Sequence, residues 1–111
     1  MKRLVGILVF LLSPVVLIAD ECKSWGCIST LSEVYVTALS DIRIATPLDE
    51  TLANCAPVSD KYFTIKQGAP NYEAMYSTVL AAYMADKKIQ LRVKEGSSDC
   101  ELSYIRLYTG F

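Results

Sequence analysis

The stretch NYEAMYSTVLAAYMADKKIQLRV, residues 71–93, carries two periodicities in succession, and the change between them sets the fold. Tyr72, Met75, Tyr76, Val79, Leu80 and Tyr83 recur at i, i+3, i+4, i+7, i+8 and i+11, the spacing of one buried stripe on a helix. Ala74, Ala81, Ala82 and Ala85 add helix propensity and a slim profile. Asn71 suits the cap position, and Glu73 places an acid in the first turn, where the helix dipole favours it. Asp86, Lys87 and Lys88 stop the pattern, so the predicted helix runs from Tyr72 to Ala85. The period then drops to two. Ile89, Leu91 and Val93 alternate with Gln90, Arg92 and Lys94, which is a half-buried strand. The tyrosine-methionine stripe reads as core and not as a cofactor box.

Upstream of the helix the pattern is β throughout. STLSEVYVT (29–37) sets Leu31, Glu33 and Tyr35 against Ser32, Val34 and Val36, and its β-branched and aromatic residues favour a strand. After a turn at 38–41, Ile42 and Ile44 share a face of DIRIAT (41–46), so the two segments read as a hairpin. Residues 47–60, broken by Pro47, Asn54, Pro57 and Ser59, read as a loop held down by Cys55, and KYFTIK (61–66) as a third strand. Downstream, EGSSD (95–99) is turn-rich, and Cys100 opens a last strand. In that strand Ser103, Ile105 and Leu107 alternate with Leu102, Tyr104, Arg106 and Tyr108. The order β-β-β-α-β-β predicts an α+β, mostly β domain: a five-stranded OB-like barrel with one helix plugging its end. A ferredoxin-like arrangement would need a second helix.

The first residues carry a different message. Met1, Lys2 and Arg3 precede the apolar run LVGILVFLLSPVVLIA (4–19), after which the chain turns polar at Asp20. A positive start, a short apolar stretch and a small residue at its exit form a secretory signal, with cleavage expected after Ala19. The run is shorter than the ~20 apolar residues a span needs, and Pro14 interrupts it, so no stable membrane insertion is expected after cleavage. The single domain is then residues 20–111, exported to the periplasm or the medium. Asp20 and Glu21 ahead of Cys22 do not make a lipid-attachment site.

Export makes the cysteines legible. All four (Cys22, Cys27, Cys55, Cys100) follow the signal, and an even number in an oxidising compartment suggests two disulfides. Three pairings exist for four cysteines. The one adopted joins Cys22 to Cys27 across KSWG and leaves Cys55 with Cys100 as a long-range staple. Their wide and uneven spacing does not match the close pairs of a four-thiolate zinc site.

Composition removes several functions. The chain has no histidine, which excludes Ser-His and Cys-His nucleophiles and His-ligated zinc. Its formal charge is −1, and loss of Lys2 and Arg3 makes it −3, with no basic run to attract nucleic acid. No G-x-S-x-G elbow, phosphate-cradling glycine loop or H-E-x-x-H run occurs. Glu33, Asp41, Glu95, Asp99 and Glu101 supply carboxylates, but their spacing selects no glycosidase pair. The expectation is a non-catalytic binding module without cofactor or metal, the alternative being a periplasmic or secreted inhibitor or interaction protein, or a structural protein of the envelope.

LSEVYV (31–36) and residues 71–93 resemble the binding subunit of subtilase-type AB5 cytotoxin and its small exported bacterial relatives. The shared features are a Ser-Glu-hydrophobic strand and an aromatic-rich helix that leads through a polar turn into an alternating strand. Cysteines placed like Cys55 and Cys100 recur as well. The similarity spans Ser29 to Val93. It implies an OB-fold, a homo-oligomer in the form of a five-membered ring, and a glycan or glycoprotein as partner. Of the serine and aspartate that help hold the toxin's sugar, only the serine has a counterpart in Gly26-Cys27-Ile28-Ser29, at Ser29.

The residues themselves offer two aromatic candidates for such a ligand. Tyr104 and Tyr108 share a face with Arg106, an arrangement able to stack a sugar ring and hydrogen-bond its hydroxyls. Trp25, within the short cysteine loop, is either a lid over the barrel end or an exposed contact. The competing explanation for the tyrosines is a half-exposed strand face covering apolar surface.

Overall fold

The computed structural model describes residues 19–107, so the signal segment ahead of Ala19 and the candidate Tyr108 lie outside the described residues. Strands β1 (Glu21–Lys23), β2 (Gly26–Ser29), β3 (Glu33–Val36), β4 (Ile42–Ala45) and β5 (Phe63–Ile65) precede helix α1 (Tyr72–Met84). Strands β6 (Ile89–Val93) and β7 (Leu102–Arg106) follow it. The fold is mostly β with one α-helix, as the sequence predicts. Among the described residues there are seven strands in place of five, arranged as two antiparallel sheets, β1-β2-β6-β7 and β3-β4-β5.

Both extra strands come from the amino-terminal segment. The chain between Cys22 and Cys27 is a tight hairpin, with the two cysteines directly opposite each other and Ser24-Trp25 at the tip. The predicted strand 29–37 is broken at residues 30–32. There the Ser29 hydroxyl donates to the Thr30 carbonyl at 2.7 Å, so a side chain competes with the ladder for that oxygen. The part before the break pairs with β6 and the part after it with β4. Gly26 makes the first pairing sterically feasible. Its φ is +140°, and a Cβ there would lie 1.9 Å from the Leu91 carbonyl oxygen.

A closed barrel does not form. Between the sheets the ladder is reduced to a single parallel bridge, Thr64 to Glu101, with Thr64 N–H donating to the Cys100 carbonyl at 3.0 Å. Further along, β7 turns its edge to α1, and the Asn71 amide takes the Ser103 carbonyl at 3.2 Å. Asn71 therefore stands at the start of the helix without capping it, because its side chain is committed to β7.

The core lies between the sheets and under α1. Ile42, Ile44, Phe63, Ile65, Ile89 and Leu91 are completely buried. Each side chain of this size contributes roughly 1.5–3 kcal/mol on burial. The burial of alternate residues in β4 and β6 agrees with the sequence pattern. The helix buries Met75, Val79 and Ala82, whereas Leu80 and Tyr83 are 36% and 39% exposed. The buried stripe is thus narrower than predicted and rotated toward Ala82, the small residue that lets α1 approach the sheets.

In β7 the predicted alternation fails at one point. The sequence alternation groups Leu102 with Tyr104 and Arg106, yet Leu102 is 1% exposed while the other two face outward. A register shift between Arg92 and Val93 causes this. Val93 opposes Leu102 and Arg92 opposes Tyr104, which leaves Ser103 as an inserted residue. The bulge turns Leu102 into the core while keeping Tyr104 and Arg106 on the surface.

A second departure is a 3-10 turn, Glu50–Leu52, within the predicted loop. Its Glu50 is 2% exposed, and one carboxylate oxygen accepts from the Thr46 backbone N–H at 2.5 Å and the Thr46 hydroxyl at 2.8 Å. The pair fixes the bend through Pro47.

The cystines are Cys22–Cys27 and Cys55–Cys100, with sequence separations of 5 and 45 residues. In the chain-entropy model these loops correspond to about 2 and about 4 kcal/mol. Replacing both Cys55 and Cys100 with alanine is therefore expected to cost about twice as much stability as replacing Cys22 and Cys27, by denaturant unfolding of the two double variants.

Candidate functional site

The outer face of the β1-β2-β6-β7 sheet gathers the polar and aromatic residues that the core rejects. Register places them in rows, because residues directly opposite in antiparallel strands share a face. One row runs Lys23, Gly26, Arg92, Tyr104, and the next runs Glu21, Ile28, Gln90, Arg106. Tyr104 is 38% exposed and Arg106 is exposed, while Arg92 and Gln90, on the interior strand β6, are half-buried. Glu21 pairs with Lys23 at 3.8 Å. Gly26 contributes no side chain, so the first row has a gap beside Arg92 and an aromatic wall on its other side.

Tyr104 also lines a hollow of about 190 Å³ between α1 and β7, shared with Asn71, Ala74, Met75, Thr78 and Ile105. A larger one, about 450 Å³, lies at the start of the helix between Ser40, Gln67, Pro70 and Glu73. None of the candidate ligand residues Trp25, Ser29, Tyr104 and Arg106 lines the larger hollow.

The structure brings Tyr104 and Arg106 onto one face, next to each other along β7. Trp25 is half-buried at the hairpin tip beside Gly26, and its carbonyl accepts from Val93 N–H at 2.9 Å. Ser29 is fully buried with its hydroxyl spent on Thr30, so it presents no group to a ligand. Its backbone opposes Ile89, on the core side of the sheet. Arg92, opposite Tyr104 in register, is not among the candidates that the sequence offers. Its outward position was legible in the alternation of β6, but its place beside Tyr104 depends on the bulge at Ser103, which no local pattern signals.

A second polar cluster lies on the other sheet. The Tyr62 hydroxyl donates to both carboxylate oxygens of Glu33, at 3.0 and 3.1 Å, and its ring meets Tyr35 edge-on at 5.3 Å between centroids. The Lys61 ammonium lies 5.1 Å from the Tyr62 ring centroid and 3.8 Å from Glu33. Arg43, opposite Tyr35 in register, hydrogen-bonds the Thr64 hydroxyl and lies 4.0 Å from Asp41. Glu33, Lys61, Tyr62, Arg43, Asp41 and Thr64 each have a partner within it, which marks the cluster as a lock on the sheet surface. Among the described residues no group of His, Cys, Asp and Glu is placed to hold a metal ion, and no helix is long and apolar enough to cross a membrane.

Comparison with protein-family models, with curated proteins and with solved structures finds no match. The surface chemistry itself therefore carries the functional reading.

Partial burial and then the Glu33 carboxylate raise the Tyr62 phenol above its ordinary value of 10.0. A phenol held more tightly protonated in the folded state stabilises that state below pH ~10, and the contribution is lost as pH rises through the folded value. Alkaline ultraviolet titration of Glu33→Gln should show one phenol moving back toward 10, with the remainder of its elevation, due to burial, retained.

Proposed function

We propose that this chain is an exported, non-catalytic glycan-binding module whose site is the outer face of the β1-β2-β6-β7 sheet. The observation that carries the reading is Tyr104: an aromatic ring on an edge strand, open to solvent and flanked by Arg92, Gln90 and Arg106. An aromatic face takes the C–H face of a sugar, and fixed amide and guanidinium groups around it take hydroxyls. Two disulfides suit a secreted or periplasmic location, where such bridges persist.

The architecture supports an OB-like arrangement in an open form. If β2 and β3 are counted as one bent strand, neighbours follow the order β3-β4-β5-β7-β6-β2 through the Thr64–Glu101 bridge. With β1 set aside as an added edge strand, five strands remain, and the helix falls between the third and fourth of them, as in OB domains. Kinship with the cytotoxin binding subunit fits this order and the exported, disulfide-bonded character.

A glycan array probed with the processed protein is the direct test. Binding to at least one saccharide, reduced about five- to tenfold by Tyr104→Ala, is the expected outcome. Folded protein that binds no sugar at all overturns the proposal.

A specific surface also favours self-association. Leu80, Tyr83 and Met84, on the flank of α1 turned from the core, are 36%, 39% and 81% exposed. Apolar groups of this size on a helix of an exported protein suit burial against further copies, in the ring of five that the resemblance implies. Light scattering of the processed protein should then give a mass several times that of one chain. A monomer at every concentration excludes the ring.

A further inference from the structure

We propose that Met84 is an oxidation site through which peroxide controls self-association along α1. This rests on the self-association reading and goes beyond it by assigning a modification, its chemical agent and its effect.

The starting point is which side chains can react. The chain holds three methionines. Met1 belongs to the segment read as the signal, and Met75 is 4% exposed, within the shared core. Met84, in the last turn of the helix, is 81% exposed. Thiolates are the usual first target of peroxide, and none is present, because all four cysteines are in cystines. The Met84 thioether is therefore the accessible soft nucleophile of the processed chain. Its sulfur lone pair attacks one oxygen of hydrogen peroxide. The S–O bond forms as the O–O bond breaks, and the other oxygen takes the displaced proton and leaves as water. Sulfur loses two electrons in becoming the sulfoxide, peroxide gains them, and methionine sulfoxide reductases reverse the change.

The position of the sulfur gives the reaction its consequence. Leu80 and Met84 are one helical turn apart, at i and i+4, so their side chains share a face. Between Glu73 and Asp86 the helix carries no charged residue, and its outer flank of Ser77, Leu80, Ala81 and Met84 is exposed. A second copy seated there covers apolar groups, and a flexible, polarizable thioether suits such a contact. A sulfoxide puts a strong acceptor in the same place. Burying it among Leu80, Ala81 and their counterparts carries the cost of an under-satisfied polar group. The assembled form in turn shields the sulfur, so peroxide acts on the free chain, and oxidation and assembly oppose one another.

Treatment of the dilute processed protein with hydrogen peroxide, followed by peptide mass mapping and by light scattering over a dilution series, tests this. Met84 is expected to gain its oxygen about tenfold or more faster than Met75. The oxidised protein should self-associate about tenfold or more weakly than the untreated one, and methionine sulfoxide reductase should restore it. Met84→Leu should assemble and ignore peroxide, whereas Met84→Gln should assemble weakly with no oxidant. Circular dichroism checks that the oxidised and variant proteins are folded. Equal oxidation of Met75 and Met84, assembly unchanged by oxidation of Met84, or peroxide sensitivity that survives Met84→Leu overturns the inference while leaving self-association in place. A monomer at every concentration before treatment overturns both.

Discussion

The two sheets are joined at a very small place. Thr64 N–H reaches the Cys100 carbonyl, and the Cys55–Cys100 bridge fixes the residue that offers that oxygen. Cys100 has a positive φ of 49°, a conformation costly for a side-chain-bearing residue, at a position tied by the cystine and by the hydrogen bond from Thr64. From this joint β7 starts in the register that sends Leu102 inward. The shared core of Phe63, Ile65, Leu91 and Leu102 then closes over it, so burial and the covalent link reinforce one another.

The candidate ligand face follows from the same joint. With Leu102 committed to the interior, one residue has to be accommodated before β7 can pair with β6, and Ser103 is that residue. Tyr104 thereby comes level with Arg92, and Arg106 with Gln90. A stability requirement in the core has set the composition of the surface. Gly26, needed because β2 lies too close to β6 for any Cβ, adds the gap beside Arg92 in the same way.

Much of this was legible in the sequence where one physical rule acts alone. The helix from Tyr72, the burial of Ile42 and Ile44, the alternation of Ile89, Leu91 and Val93, and both cystines follow from periodicity or cysteine spacing. The misreadings occur where a second force competes. Ser29 broke its strand by donating to the neighbouring carbonyl, and the cysteine loop became a hairpin because Gly26 could sit against the Leu91 backbone. The bulge at Ser103 reflects a pairing partner distant in the chain, and Glu50 went inside because Thr46 offered it two donors. Of the candidate site, Tyr104 and Arg106 were visible as alternating outward residues. Arg92 gained meaning only from its register.

The Cys55–Cys100 link also encloses a particular piece of chain. Within its span lie β5, α1, β6 and the turn at 94–98, whose Lys94, Glu95, Gly96 and Ser98 are exposed. A peptidase that severed that turn would leave two polypeptides still tied through sulfur, with helix and central strand in place. A nick at this exposed bend need not mean dismemberment.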